Sequence, residues 1–151
     1  MKCHVCEINE RENDGDLIFE TNFWGVILSF NQRYIGRCYI FSKRHFGSLS
    51  EMTDEEALDF LEVVKKIENA IRKTFGATMF NWSCLMNDFY KKENPNPHLH
   101  WHMKPRYQDK VLFSGRVFED KEFGHHYNKD DDIVESKEIR LAIVKEIKKN
   151  L

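Results

Sequence analysis

Three of the chain's seven histidines stand at every second position, His98, His100 and His102, in "NPNPHLHWHMKPRY" (94–107). A strand turns alternate side chains to the same side. The three imidazoles therefore share one face, while Leu99, Trp101 and Met103 point to the other, the core side. A single histidine there reads as a satisfied packing residue, but three in register are costly to bury for packing alone. A metal could use all three, because strand-borne histidines two apart make good ligands. Alternatively, one imidazole, titrating near pH 6.5, attacks through Nε2 while an acceptor holds Nδ1 and a neighbouring ring donates. Attack on phosphorus suits such a group, and this is the reading preferred. A second constellation is "CHVC", where Cys3 and Cys6 have the spacing that lets two thiolates hold one tetrahedral zinc. A redox pair would sit at a helix entry after a strand, which position 3 leaves no room for. Uncoordinated thiols are the third reading. His125 and His126 lie in the acidic stretch "EFGHHYNKDDD" and read as surface residues, with a second metal site or a substrate contact as alternatives.

These groups need elements to hold them. "DLIFET" (16–21), "FWGVILSF" (23–30) and "RCYIFS" (37–42) are short, rich in aromatic and branched residues, and predict three strands. A helix follows, with Thr53 and Glu56 spaced as a capping box and Gly76 as its C-terminal cap. Its apolar stripe is Ala57, Phe60, Leu61, Val64, Ile67, Ile71 and Phe75, for core or dimer packing. "ATMFNWSCLM" (77–86) and "HLHWHMKP" (98–105) predict a fourth and a fifth strand, joined by the polar, turn-prone "NDFYKKENPNP". Beyond Pro105, "KVLFSGRVF" holds a short extended piece, 119–132 reads as exposed loop, and a last helix runs from about 136 to 149 with Ile139, Ile143 and Ile147 on one face. Cys38 and Cys84 fall in strands and read as core residues. The expected architecture is a single α+β domain over 1–151, an antiparallel sheet with one long helix packed on it, with a core at about 3–107 and a C-terminal extension at about 108–151.

Composition narrows the partners. A net charge of −2 gives no reason to expect nucleic acid or a membrane surface, leaving only local patches such as Lys43–Arg44 and Lys91–Lys92. No signal peptide and no bilayer-spanning run is visible, so a cytoplasmic location is the default expectation.

The pattern His-Leu-His-Trp-His-Met-Lys resembles the signature of the histidine triad family of nucleotide hydrolases and transferases. The order of elements from about 3 to 107, and "GRCYIFSKRHFGSLSEMTDEE", resemble the same family. The resemblance implies the histidine triad fold and a usual homodimer. It makes His100 the nucleophile that forms a covalent nucleotidyl-imidazole, with the His98 carbonyl orienting its ring and His102 contacting the phosphate. Asn87 and Asn94 match positions that contact phosphate or ribose. Ser29 stands where an acidic ribose-contacting residue is often found, with Asn31 close by. Arg37 replaces a common histidine, and Glu93 and Pro95 replace the usual glycine and hydroxyl residue ahead of the triad. By the same resemblance, Cys3, Cys6, His45 and His98 match the ligands of a structural zinc ion in bacterial-type members.

The resulting expectation is a phosphohydrolase acting on dinucleoside polyphosphates or nucleoside phosphoramidates, with no divalent cofactor at the reacting centre. The alternatives are a nucleotidyl transferase, or a zinc-stabilised nucleotide-binding or regulatory protein with little turnover, as Pro95 and Ser29 suggest.

Overall fold

The computed structural model describes residues 3–10 (8–10 as backbone alone), 15–127 and 132–151. In chain order the elements are α1 (His4–Glu10), β1 (Leu17–Glu20), β2 (Trp24–Leu28), β3 (Cys38–Ser42), α2 (Asp54–Phe75), β4 (Met79–Ser83), β5 (His100–Arg106), β6 (Val111–Phe113), β7 (Arg116–Phe118) and α3 (Lys137–Lys148). The first five strands form one antiparallel sheet in the order β1-β2-β3-β5-β4, and β6-β7 make a separate hairpin. The α+β class with one long helix is thus the observed one.

The two faces of the sheet follow from the residues' alternation. Trp24, Val26 and Leu28 on β2, Cys38 and Ile40 on β3, and Leu99 and Met103 beside and on β5 are all buried. They pack in one cluster with Val63, Ile67, Ala70, Ile71 and Phe75 of α2. Thr53 caps α2 through Glu56 N–H, and the Glu56 carboxylate reaches back to Thr53 N–H, so the capping box forms. Gly76 ends the helix in the left-handed conformation, φ 74°, where a side chain is unfavourable. The buried stripe differs from the expected one at Leu61, which is 53 % exposed beside exposed Leu58, while Val63 takes the inward place. The 56–60–63–67–71 ladder simply tracks the sheet, and residue 61 falls on its flank.

The opposite sheet face carries the polar row. Tyr39 pairs with His102 and Phe41 with His100, and Ser83 faces His102 from β4. Gly25, opposite Phe41, is required there, because a Cβ would collide with the Phe41 ring.

The stretch after β7 corrects the reading of 119–132 as exposed loop. Asp120 is buried and makes a two-pronged ion pair with buried Arg106, the last residue of β5: Nε to Oδ2 at 2.6 Å and NH2 to Oδ1 at 3.0 Å. Asn81 and the carbonyls of Glu122 and His125 accept the remaining donors of the guanidinium. Positions 128–131 of that stretch lie outside the described residues. α3 then places Ile143, Val144 and Ile147 in the main core. Asp120→Ala should cost about 3–5 kcal/mol in denaturant unfolding, because it strands a buried guanidinium. A loss below about 1 kcal/mol would mean that water replaces the carboxylate at little cost.

Among the described residues no helix is long and apolar enough to cross a membrane.

Candidate functional site

The four residues matched to a metal come from three places in the chain. α1 supplies Cys6, with Cys3 just ahead of it; His45 lies in the connection from β3 to α2; His98 precedes β5. α1 was not foreseen from the sequence, and it is this helical turn that brings Cys6 back beside Cys3. Their donor atoms all lie within 4.8 Å of one another. Cys3 Sγ and Cys6 Sγ are each 3.4 Å from His98 Nδ1, Cys6 Sγ is 3.4 Å from His45 Nδ1, and the two Nδ1 atoms are 3.1 Å apart. A tetrahedral ion with bonds of roughly 2.0–2.3 Å sets its ligand atoms about 3.3–3.8 Å apart, so the donors converge as such an ion requires.

The tautomers agree with this. His98 Nε2 donates to the Ser42 carbonyl at 2.6 Å, and His45 Nε2 donates to Asn96 Oδ1 at 3.1 Å. Each ring therefore turns an unprotonated Nδ1 to the cluster, the usual arrangement of an outer acceptor fixing a ligating imidazole. Burial lowers the pKa of His98 and so favours the neutral form that a ligand needs. The cluster is capable of holding a metal ion.

The triad begins at the same residue. The His98 backbone carbonyl accepts from His100 Nδ1 at 2.9 Å. That leaves the lone pair of His100 on Nε2, which lies 3.1 Å from His102 Nε2. His102 is pushed down to about 3 by burial first, then by His100, Lys104 and Arg37, against a smaller opposing pull from Asp88. It is thus neutral at physiological pH and is able to donate an N–H rather than act as a strong acid. The Tyr39 ring meets both histidines edge-on, at 4.9 Å from His102 and 6.4 Å from His100, and Phe89 approaches His100 at 5.8 Å. A histidine with a fixed ring, its lone pair on Nε2 and an adjacent neutral donor can attack an electrophile and steady the charge that develops on its oxygens.

No hydrogen bond among the described residues joins the other residues singled out by sequence to this pair. Ser29 is buried, and its hydroxyl accepts from Asn31 N–H at 3.3 Å. The Asn31 carboxamide is spent on the chain itself: its oxygen accepts from Arg33 and Ile133 N–H, and its nitrogen donates to Asp132. Asn87 opens the 3-10 turn Asn87–Lys91 that carries Phe89, and it and Asn94 are exposed, with no side-chain hydrogen bond among the described residues. His125 and His126 are exposed and belong to no metal-capable group among the described residues. They line a cavity of about 590 Å³ with Trp82, Asn81, Arg106 and Tyr127, beside the triad rather than on it. Cys38 is fully buried, its thiol pushed well above its usual range, as a core residue should be. Tyr39, Phe89 and Asn96 are site neighbours that the motifs alone do not mark, although the period-two pattern of β3 places Tyr39, with Arg37, on the histidine face.

Residues 10–109 match the family model described as the HIT domain, and the chain belongs to that family, whose histidine triad performs nucleotidyl transfer and hydrolysis. Among curated relatives, the galactose-1-phosphate uridylyltransferase of Thermotoga maritima is 25% identical over 120 residues. That match covers 77% of this chain but only 38% of the relative's length. The Protein hit of Bacillus subtilis is 30% identical over 105 residues, covering 70% of this chain and 71% of that protein. The crystal structure of a hypothetical histidine triad nucleotide-binding protein from Sulfolobus tokodaii superposes with a TM-score of 0.67 at 20% identity, covering 98% of this chain and 91% of that one, a likeness of fold.

Proposed function

We propose that this protein is a nucleotidyl transferase that works through a covalent nucleotide on His100, and that zinc occupies the Cys3, Cys6, His45 and His98 cluster. The observation that carries the first part is the hydrogen bond from His100 Nδ1 to the His98 carbonyl, which commits the Nε2 lone pair to attack. In the first step Nε2 bonds to the α-phosphorus while the bond from phosphorus to the leaving oxygen breaks, its electron pair departing with the leaving group. The ring, now positively charged, is steadied by its Nδ1–H against the carbonyl. An acceptor oxygen then attacks the same phosphorus, and the pair of the N–P bond returns to Nε2. One difficult displacement becomes two easier ones. His102 donates to a phosphoryl oxygen in both steps.

Two observations favour transfer over hydrolysis of phosphoramidates. A relative matched over 120 residues carries a uridylyltransferase's name. A neutral His102 is a poor acid for an amine leaving group, whereas a phosphate departs as an anion without one. Four thiolate and imidazole donors suit zinc, which would supply structural cross-linking and, with no open coordination position, no Lewis acidity to the substrate. Ser29, Asn87 and Asn94 are left as candidate contacts for the nucleotide, to be tested by single substitution.

The test is labelling with α-³²P donors: a nucleoside diphosphate hexose, a dinucleoside polyphosphate and a nucleoside phosphoramidate. The expected result is a label on His100, stable in base and labile in acid, discharged faster by a phosphate-bearing acceptor than by water. Faster discharge to water than to any acceptor would make the protein a hydrolase. Bound nucleotide with neither label nor turnover would make it a binding protein.

A further inference from the structure

We propose that Arg37, flanked by Lys104, binds the phosphate of the group that leaves or accepts the nucleotide, and so makes a phosphate-bearing partner the preferred one. This rests on the covalent nucleotidyl chemistry proposed for His100.

Arg37 directly follows Gly36 and enters β3 one residue ahead of Cys38. Cys38 faces Met103, so residue 37 comes opposite residue 104, on the face that carries Tyr39 and His102. His102 is its diagonal neighbour across the two strands, within reach of a long side chain. The Arg37 backbone is pinned on both sides. Its N–H donates to the Tyr34 carbonyl, and its carbonyl accepts from Ser29 N–H and from Gln32 Nε2. The side chain therefore leaves from a fixed point.

Its guanidinium lies 5.9 Å from the centre of the Tyr39 ring, the ring that also touches His100 and His102. Its Nε is buried without a hydrogen-bond partner, and no carboxylate pairs with it among the described residues. Buried Arg106, by contrast, spends its donors on Asp120, Asn81 and two carbonyls. A half-buried guanidinium beside the reacting histidines, with a donor left over, is completed by an anionic oxygen from outside the chain. Lys104 adds a second positive charge in the next row, its Nζ held 4.0 Å above the Tyr127 ring.

The chemistry fits. As Nε2 of His100 bonds to the α-phosphorus, the bond to the bridging oxygen breaks and its electron pair stays on the departing phosphate. A guanidinium next to His102 bears that charge in the first step. In the second step it holds an incoming phosphate so that its oxygen faces the same phosphorus. A leaving group that carries no phosphate gains nothing from it.

The discriminating experiment compares two donors on Arg37→Gln: a nucleoside diphosphate hexose, and the p-nitrophenyl ester of the same nucleoside monophosphate. The second leaves as a phenolate, with neither a phosphate nor a need for a proton. Uridine and adenosine series are run in parallel. The ratio of kcat/KM, diphosphate over nitrophenyl ester, should fall about 10-fold or more. Arg37→Lys, which keeps a point charge, should retain most of the ratio. Both donors are turned over by the same molecules, so partial unfolding lowers both rates and leaves the ratio alone. A ratio within about twofold of the parent protein's overturns the role of Arg37 and leaves the His100 chemistry standing. Failure of every donor to label the parent protein removes the underlying chemistry and this inference with it.

Discussion

His100→Ala is expected to abolish covalent labelling and to lower kcat/KM by about 10³-fold or more, while leaving nucleotide affinity within a few-fold. The asymmetry follows from where His100 sits. Its ring is half-buried on an open sheet face, and its polar contacts are the His98 carbonyl and His102. Truncation removes the atom proposed to attack but no core packing, so the fold and the surrounding donors should survive. His102→Ala should be milder, about 10²-fold, because it removes a donor to the phosphoryl oxygens and not the nucleophile. Equilibrium binding by calorimetry, set beside acid-quenched labelling, separates the two quantities. Turnover in His100→Ala close to that of the parent protein would assign the attack to another group. Equal losses in affinity and rate would mean that the ring chiefly binds.

The part of this site that could be read in advance is the part that is local. Period two in a strand needs no knowledge of the partner strands, so the common face of His100 and His102 followed from their spacing alone, whereas His98 lies ahead of β5 and turns its ring to Cys3, Cys6 and His45. The capping box at Thr53 and Glu56 and the left-handed Gly76 are likewise written within one turn of helix. The cluster of Cys3, Cys6, His45 and His98 is different. Nothing in the spacing of residues 6, 45 and 98 makes them meet, and family resemblance supplied that match.

What escaped is non-local. Asp120 is one carboxylate among many in an acidic stretch, and only the position of Arg106 at the end of β5 selects it for burial. Asn96 lies between two prolines, as a turn residue would, yet its carboxamide fixes the ring of His45. Asn31 looked available to a ribose and is instead tied to residues 132 and 133, a hundred positions away. Leu61 matched the helical period but sits on the flank of the stripe, where a shift of one residue decides burial. In each case the residue type was informative, and the missing quantity was which distant element it would meet.

Removing the metal should produce the largest change in stability. Two thiol sulfurs and two unprotonated Nδ1 atoms lie within 4.8 Å of one another, four of the pairs at 3.1–3.4 Å. Without a cation the thiolates repel or take up protons, and the lone pairs of the imidazoles face each other uncompensated. The cluster also ties α1 to the segment after β3 and to the residue ahead of β5, two stretches that already share hydrogen bonds with each other. Metal analysis should find about one zinc per chain. Stripping it with a chelator, or introducing Cys6→Ser, should lower Tm by about 10 °C or more, several kcal/mol for a chain of this size. The effect should reach catalysis through His98, whose ring belongs to the cluster and whose carbonyl accepts from His100 Nδ1. kcat should therefore fall more than KM rises. Cobalt(II) put in place of zinc should restore both stability and rate, since an ion with four protein ligands touches no substrate. Activity that varies with the Lewis acidity of the substituted ion would place the metal in the reaction instead. A metal-free protein of undiminished Tm would show that the four side chains hold together without an ion.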